Sequence, residues 1–230
     1  MNIKSDFGNA ISALIELLEA VGEKYWVVPL RNHLAIWKQS GDASSHRSIY
    51  GGMGSFNDVM ICRQNNYHVT EEQEPFVGQL FNDLSSVCYA LSQQQGFTAD
   101  ALRLELGTVG CPMQGWRCRE CGYGEVSRRN IDYYLAYRVV REAMIETASQ
   151  GSLADCVRQT LSLNFPEITE ARQKLEGRLT ASGIAVNDRN GWIRLCPKCQ
   201  SENISVYRWV ELWDGIFRPD VDNLSVKTRS

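Results

Sequence analysis

The chain has 230 residues, 43% hydrophobic and 22% charged, with 24 Lys+Arg against 27 Asp+Glu and a formal net charge of −3. Such a length supports one large domain or two small ones, and the composition excludes a disordered or collagen-like chain. No apolar run approaches the roughly 18 residues of a membrane helix, and the stretch behind Met1 lacks the apolar centre of an export signal. A cytosolic protein without a membrane partner is therefore expected.

Charge is uneven along the chain. Residues 1–110 hold 7 Lys+Arg and 12 Asp+Glu, a net of −5, whereas residues 111–230 hold 17 and 15, a net of +2. The acidic first half suits a basic partner and is a poor nucleic-acid surface. The same charge also describes a merely solvated face.

In chain order, Ile11, Leu14, Ile15, Leu17, Leu18 and Val21 follow helical spacing, which predicts a helix over 8–21 ended by Gly22. A second helix is expected over 24–39, with Trp26, Leu30, His33, Leu34 and Trp37 near one face and Pro29 in its first turn or at a kink. Residues 40–56 read as loop, and Val59–Cys62 as a short strand or the start of a helix. A third helix is expected over 71–95. Its acidic first turn would carry Glu71, Glu72 and Glu74, its stripe Phe76, Leu80, Leu84, Cys88 and Leu91, and Gly96 would stop it. A joint falls near 96–112. Helices are then expected over 130–148 (with Ile131, Tyr134, Leu135, Val139 and Met144 inside), over 152–162 behind a capping Ser152, and over 166–181 opening on Pro166. Ile204–Val210 reads as a strand.

Two Cys-x-x-Cys units stand out: Cys118-Arg119-Glu120-Cys121, followed by Gly122, and Cys196-Pro197-Lys198-Cys199. Two thiolates two residues apart bite one tetrahedral ion from a tight turn, and two such turns complete a site. Reduced cytosolic thiols in this pattern point to metal rather than disulfides. Both units resemble the knuckles of zinc-ribbon proteins, each preceded by an aromatic segment read as a strand, Gly115–Arg117 and Gly191–Leu195. The departure is the spacing: 74 residues, 122–195, separate the pairs, where a simple ribbon has about 15–20. A helical insertion accounts for the difference. One structural Zn2+ on Cys118, Cys121, Cys196 and Cys199 is expected, closed to water and substrate. Cys62, Cys88 and Cys156 read as packed thiols and Cys111 as a residue outside the site.

The run Tyr50-Gly51-Gly52-Met53-Gly54-Ser55-Phe56-Asn57-Asp58 is unusual. Three glycines in four positions imply positive φ angles or close backbone approach. The run matches neither a phosphate-binding loop nor a dinucleotide fingerprint, and a tight loop with Asn57 or Asp58 capping the next element is the plain reading. With the preceding helix pair, its tryptophan and Gly41-Asp42, residues 11–95 resemble an uncharacterised family of small bacterial domains with this glycine hallmark. The resemblance implies a small, acidic, cytosolic protein associated with bacterial toxin systems; it carries no catalytic residues.

The fold class expected is mainly α with a small β zinc-ribbon, in two units. Residues 1–100 form a helical domain with the glycine-rich loop 50–58, residues 111–215 a zinc ribbon with a helical insertion at 125–185, and residues 216–230 a tail. The function expected is stoichiometric binding of a protein partner: an immunity protein that neutralises a bacterial toxin domain, with no catalysis. Candidate contacts are Asp42, Tyr50, Phe56, Asp58, Glu71, Glu72 and Glu74, with Tyr50 or Phe56 as the aromatic anchor. The alternative is a nucleic-acid-binding or regulatory zinc ribbon. Arg117, Arg119, Arg128 and Arg129 cluster with Trp116 and Tyr123 around the first knuckle, and overall acidity opposes it. An enzyme has the least support, because His33, His46 and His68 fall at no metal-ligand or triad spacing.

Overall fold

A computed structural model describes residues 3–93, 113–150, 152–189, 193–211 and 217–219. The chain divides into one unit of residues 1–104 with 139–163 and another of 105–138 with 164–230. The chain is mainly helical with one small sheet, as its periodicities require. Residues 139–163, read from sequence as part of the insertion, group with the first unit.

The first unit is built on α1 (Ile3–Ala20), α2 (Val27–Ser40), α3 (Ser44–Arg47) and α4 (Glu74–Ser92). It also takes the second half of α5 (Arg128–Ser149) and α6 (Leu153–Leu161). The whole α1 stripe from Ile11 to Val21 is buried, and α1 packs on α2, α4 and α6. In α4 the stripe Phe76, Leu80, Leu84, Cys88 and Leu91 is buried as its spacing demands. Asp83 is buried too, paired with Arg141 at 3.0 Å, so the one acidic group on that face is neutralised within the unit. In α5 it is Val140, not Val139, that is fully covered.

Several expectations are corrected here. Residues 44–47 form a short helix inside the segment read as loop. Val59–Cys62 is neither helix nor strand: the segment is extended, with Ile61 inside and Met60 outside, and it pairs with no strand among the described residues. The third helix begins at Glu74, so Glu71 and Glu72 lie in the preceding turn and not in its first turn. Thr70 and Gln73 exchange side-chain bonds to each other's backbone N–H (3.2 and 3.0 Å), and Pro75 presets the start of the helix. The expected stop at Gly96 and the joint near 96–112 lie outside the described residues, as do Cys111 and most of the tail.

The second unit holds a five-stranded sheet in the order β3-β2-β1-β4-β5. Its strands are β1 (Met113–Cys118), β2 (Gly124–Ser127), β3 (Ile184–Asn187), β4 (Ile204–Glu211) and β5 (Phe217–Pro219). All neighbours are antiparallel except β2 and β3, which pair in parallel. A parallel pair needs a long crossover; here it contains α5, α6 and α7 (Phe165–Ala181). The inner face of the sheet buries Met113, Tyr207, Trp209 and Phe217, and Tyr134 of α5 meets Phe217 edge-on. Trp209 packs against glycine backbone: a Cβ on Gly124 would sit 2.6 Å from its ring. The segment 193–195 before the second knuckle is bent rather than a strand, which corrects that expectation; residues 191 and 192 are outside the described set.

Candidate metal centre

The sheet brings the two Cys-x-x-Cys turns together. β1 delivers Cys118 at its end, β4 starts five residues after Cys199, and Cys118 stands opposite Ile204 in the β1–β4 ladder. The turns are near copies in backbone terms. In the first, the Gly122 N–H donates to the Cys118 carbonyl at 3.0 Å and the Cys118 N–H to the Tyr123 carbonyl at 2.8 Å. In the second, the Gln200 N–H donates to the Cys196 carbonyl and the Cys196 N–H to the Ser201 carbonyl, both at 2.9 Å. Both turns exit through a left-handed residue, Gly122 at φ 74° and Gln200 at φ 61°. Glycine takes that conformation freely, whereas a side chain there crowds the following carbonyl. A bond from the Arg119 N–H to the Asn203 carbonyl (2.9 Å) and one from Asn203 Nδ2 to Glu120 Oε1 (2.6 Å) tie the first turn to the segment behind the second.

Four sulfurs converge as a result. The Sγ atoms of Cys118, Cys121, Cys196 and Cys199 all lie within 4.8 Å of one another. The Cys118–Cys199 and Cys121–Cys196 separations are each 3.6 Å. These exceed the ~2.05 Å of a disulfide and match the edge of a tetrahedron that four thiolates form around one ion. Cys118 and Cys196 are buried, Cys121 is partly covered and Cys199 is exposed. The backbone N–H groups of Cys121 and Glu120 stabilise the Cys118 thiolate against the cost of burial and bring its pKa down to about 7. The Ser201 N–H favours a thiolate at Cys199 too, but desolvation and the sulfurs of Cys121, Cys118 and Cys196 push it up to about 12. A divalent cation would draw all four into thiolates.

Beside the first turn, Glu125 is 2% exposed and accepts from Tyr123 Oη (2.9 Å) and from an Arg189 nitrogen (2.7 Å). Burial and the Glu125 carboxylate push the Tyr123 phenol up to about 12, so it stays a hydrogen-bond donor. The short strand β2 that places this group carries no sequence signal beyond a four-residue Gly-Glu-Val-Ser. The other thiols behave as packed residues: Cys88 is buried with its pKa raised by desolvation, and burial pushes Cys156 up to about 12.

Most of the candidate contacts in the first unit have local partners. In the glycine loop Gly51, Gly52 and Gly54 have φ of 130°, 82° and 76°, and a Cβ on any of them would meet nothing within 4 Å. Backbone conformation, not close approach, selects glycine here. Asp58 accepts from the N–H of Gly54 (2.6 Å) and Ser55 (3.2 Å), and Ser55 caps the short turn Phe56–Asp58, a role expected of Asn57 or Asp58. Phe56 is 0% exposed, edge-on to Trp26, Tyr50 and Phe81. Its expected role as a surface anchor is corrected: it plugs the loop onto its own core. Tyr50 is half-buried, donates to the Ser85 carbonyl, accepts from Ser85 Oγ, and meets His46 Nε2 at 3.1 Å. Met53, which no sequence pattern singles out, is fully exposed at the loop tip. Asp42 is exposed and accepts from the Ser44 N–H, which with the Ser44 hydroxyl lowers its pKa. Glu71 pairs with Arg63 at 3.0 Å, Glu74 accepts the Arg63 N–H at 3.1 Å, and Glu72 is exposed.

A family described as a domain of unknown function (DUF6966) matches residues 19–70, which span the end of α1, α2, α3 and the glycine loop. This part of the first unit is thus similar to an uncharacterised domain family, and the metal centre lies outside the match. No curated protein and no solved structure matches the chain. Among the described residues no helix is long and apolar enough to cross a membrane.

Proposed function

We propose that the four cysteines hold one structural zinc ion and that the protein acts in the cytosol by stoichiometric binding, as an immunity protein against a bacterial toxin domain. The observation that supports the metal is the convergence of four sulfurs within 4.8 Å of one another, two pairs of them at 3.6 Å. Zinc–thiolate bonds of about 2.3 Å in a tetrahedron require sulfur–sulfur edges of about 3.8 Å. Four protein ligands fill the coordination sphere, so such an ion clamps two chain segments and leaves no position for substrate. Metal analysis of the purified protein should give one zinc per chain, with four sulfur neighbours at about 2.3 Å by X-ray absorption. Full zinc content after Cys196→Ser/Cys199→Ser would overturn the assignment.

The binding role rests on the acidity of the first unit, on exposed Asp42, Glu71 and Glu72, and on the toxin association that its family resemblance implies. Many toxin domains are basic, and rim carboxylates steer such partners and raise association rates. The test is titration of a toxin domain encoded beside the gene while its activity is followed. Inhibition saturating near one equivalent supports the reading; undiminished toxin activity at excess protein refutes it.

A further inference from the structure

The parallel pairing of β2 and β3 points the chain the wrong way for the metal centre. β2 starts at Gly124, opposite Arg117 of β1, and runs away from the first knuckle. β3 runs alongside it, from Ile184 opposite Gly124 to Asn187 opposite Ser127. The chain therefore leaves β3 heading away from Cys118 and Cys121, and it must turn back before Cys196, nine positions on.

The three residues at this turn are each fastened. Asn187 Oδ1 accepts from the Arg189 N–H at 2.8 Å, a side-chain bond two residues on that reverses the backbone. Asp188 takes Arg128 Nη1 on both carboxylate oxygens at 2.6 Å, and Arg128 also pairs with Glu176, so Arg128 leaves the basic cluster that the sequence suggested. The Arg189 guanidinium reaches back to Glu125 Oε2 at 2.7 Å, two positions nearer the first knuckle than the end of the β2–β3 ladder. The same buried oxygen accepts from Tyr123 Oη at 2.9 Å, and the Tyr123 carbonyl accepts the Cys118 N–H at 2.8 Å. One carboxylate thus joins the exit of the first knuckle to the segment that leads into the second. The far side of the second knuckle is tied to the first through Asn203, as described above.

We propose that Glu125 and Arg189 are positioning residues of the metal centre: their ion pair returns the chain from β3 to the first knuckle and sets how tightly the four cysteines hold zinc. The inference rests on the zinc reading above and adds to it two residues that are not ligands. Glu125 is buried, whereas the Arg189 side chain is half-exposed, so the pair has one fixed and one releasable member. Removing Arg189 leaves the carboxylate buried with the Tyr123 hydroxyl alone, a cost relieved by turning it toward water and freeing the return. The cysteines of the second knuckle then lose the anchor on their N-terminal side. Residues that hold metal ligands in place from behind are worth about 10–100-fold in metal affinity.

The test measures zinc affinity of the full chain by competition with a chromophoric chelator. Arg189→Gln and Glu125→Gln should each lower it about 10–100-fold. The double variant should fall no further than the weaker single, because the same ion pair is lost in all three. Arg189→Lys keeps the charge and should recover most of the affinity. A second ion pair of this unit serves as the control: Arg172 of α7 meets Asp132 of α5 at 2.6 Å, and neither belongs to a knuckle. Arg172→Gln should lower the thermal midpoint of the zinc-loaded chain yet leave zinc affinity within about twofold. Circular dichroism at saturating zinc verifies that each variant folds. Unchanged affinity in Arg189→Gln, an additive double variant, or an equal loss of affinity in Arg172→Gln would each overturn the proposal while the zinc reading stands. An unaltered chain that binds no zinc would overturn that reading and this proposal with it.

Discussion

The glycine loop and the two knuckles are both tight, polar turns built around left-handed residues, yet they are held by different means. In the loop the organising bonds come from the loop and its own domain: Asp58 gathers two N–H groups, Ser55 caps the turn and Phe56 anchors it in an aromatic cluster. In the knuckles the backbone bonds shape each turn, but the four sulfurs point at one another, an arrangement that a cation satisfies. The first arrangement is autonomous and the second conditional. A loop of this kind reports on the integrity of its domain, whereas the knuckles report on metal supply.

The largest expected effect is the sharpest break between them. Chelation of zinc, or Cys118→Ser, should remove on the order of 10 kcal/mol from the ribbon. The strand signal and the Trp209 environment should be lost while α1 and α4 remain helical by circular dichroism and hydrogen exchange. Loss of both units together would show that the autonomy of the first is mistaken. Next, Phe56→Ala should cost the first unit about 3–5 kcal/mol, read as a lower urea midpoint, with zinc content unchanged.

How far the sequence carries these conclusions varies by region. Cysteine spacing locates the metal centre because thiolate chemistry leaves few alternatives, and the stripes of α1 and α4 are long enough for a 3.6-residue period to emerge. Short elements escape: α3 is four residues, β2 and β3 are four each, and their pairing depends on partners far along the chain. Phe56 is visible as an aromatic in a polar loop but not as a plug, since that depends on Trp26 and Phe81 arriving from distant parts of the chain. The Arg189–Glu125 pair is invisible for the same reason, because pairing is decided in space.

A third prediction concerns acid. His46 is buried between Phe7, His33 and Tyr50, and burial, with His33 second, brings its pKa down to about 3 from 6.5. The unfolded state therefore binds more protons between those values, so this stability is complete above about pH 6.5 and falls as pH drops toward 3. The slope should approach about 1.4 kcal/mol per pH unit for this one proton. Urea unfolding of the first unit at several pH values should show it, and His46→Gln should flatten the dependence. The smallest effect compares the two knuckle exits: Gln200→Gly should stabilise the ribbon by up to about 1 kcal/mol, and Gly122→Ala should cost it about 1–2 kcal/mol. Effects of opposite sign and similar size would confirm that the turns are backbone copies; thermal unfolding with zinc in excess would measure both.

The distance between the knuckles has a consequence for synthesis. Cys121 and Cys196 are 75 positions apart. At about 5–20 residues per second, the first pair of thiols leaves the ribosome about 4–15 s before the second. During that interval Cys118 and Cys121 form a two-sulfur half-site on a β-hairpin whose neighbours β3 and β4 do not yet exist. Metal capture and closure of the sheet must then be nearly the last events in the making of the second unit, so a ribosome that stalls in the crossover after residue 163 leaves a first unit whose segments have all been made and a pair of reactive thiols with nothing to close on.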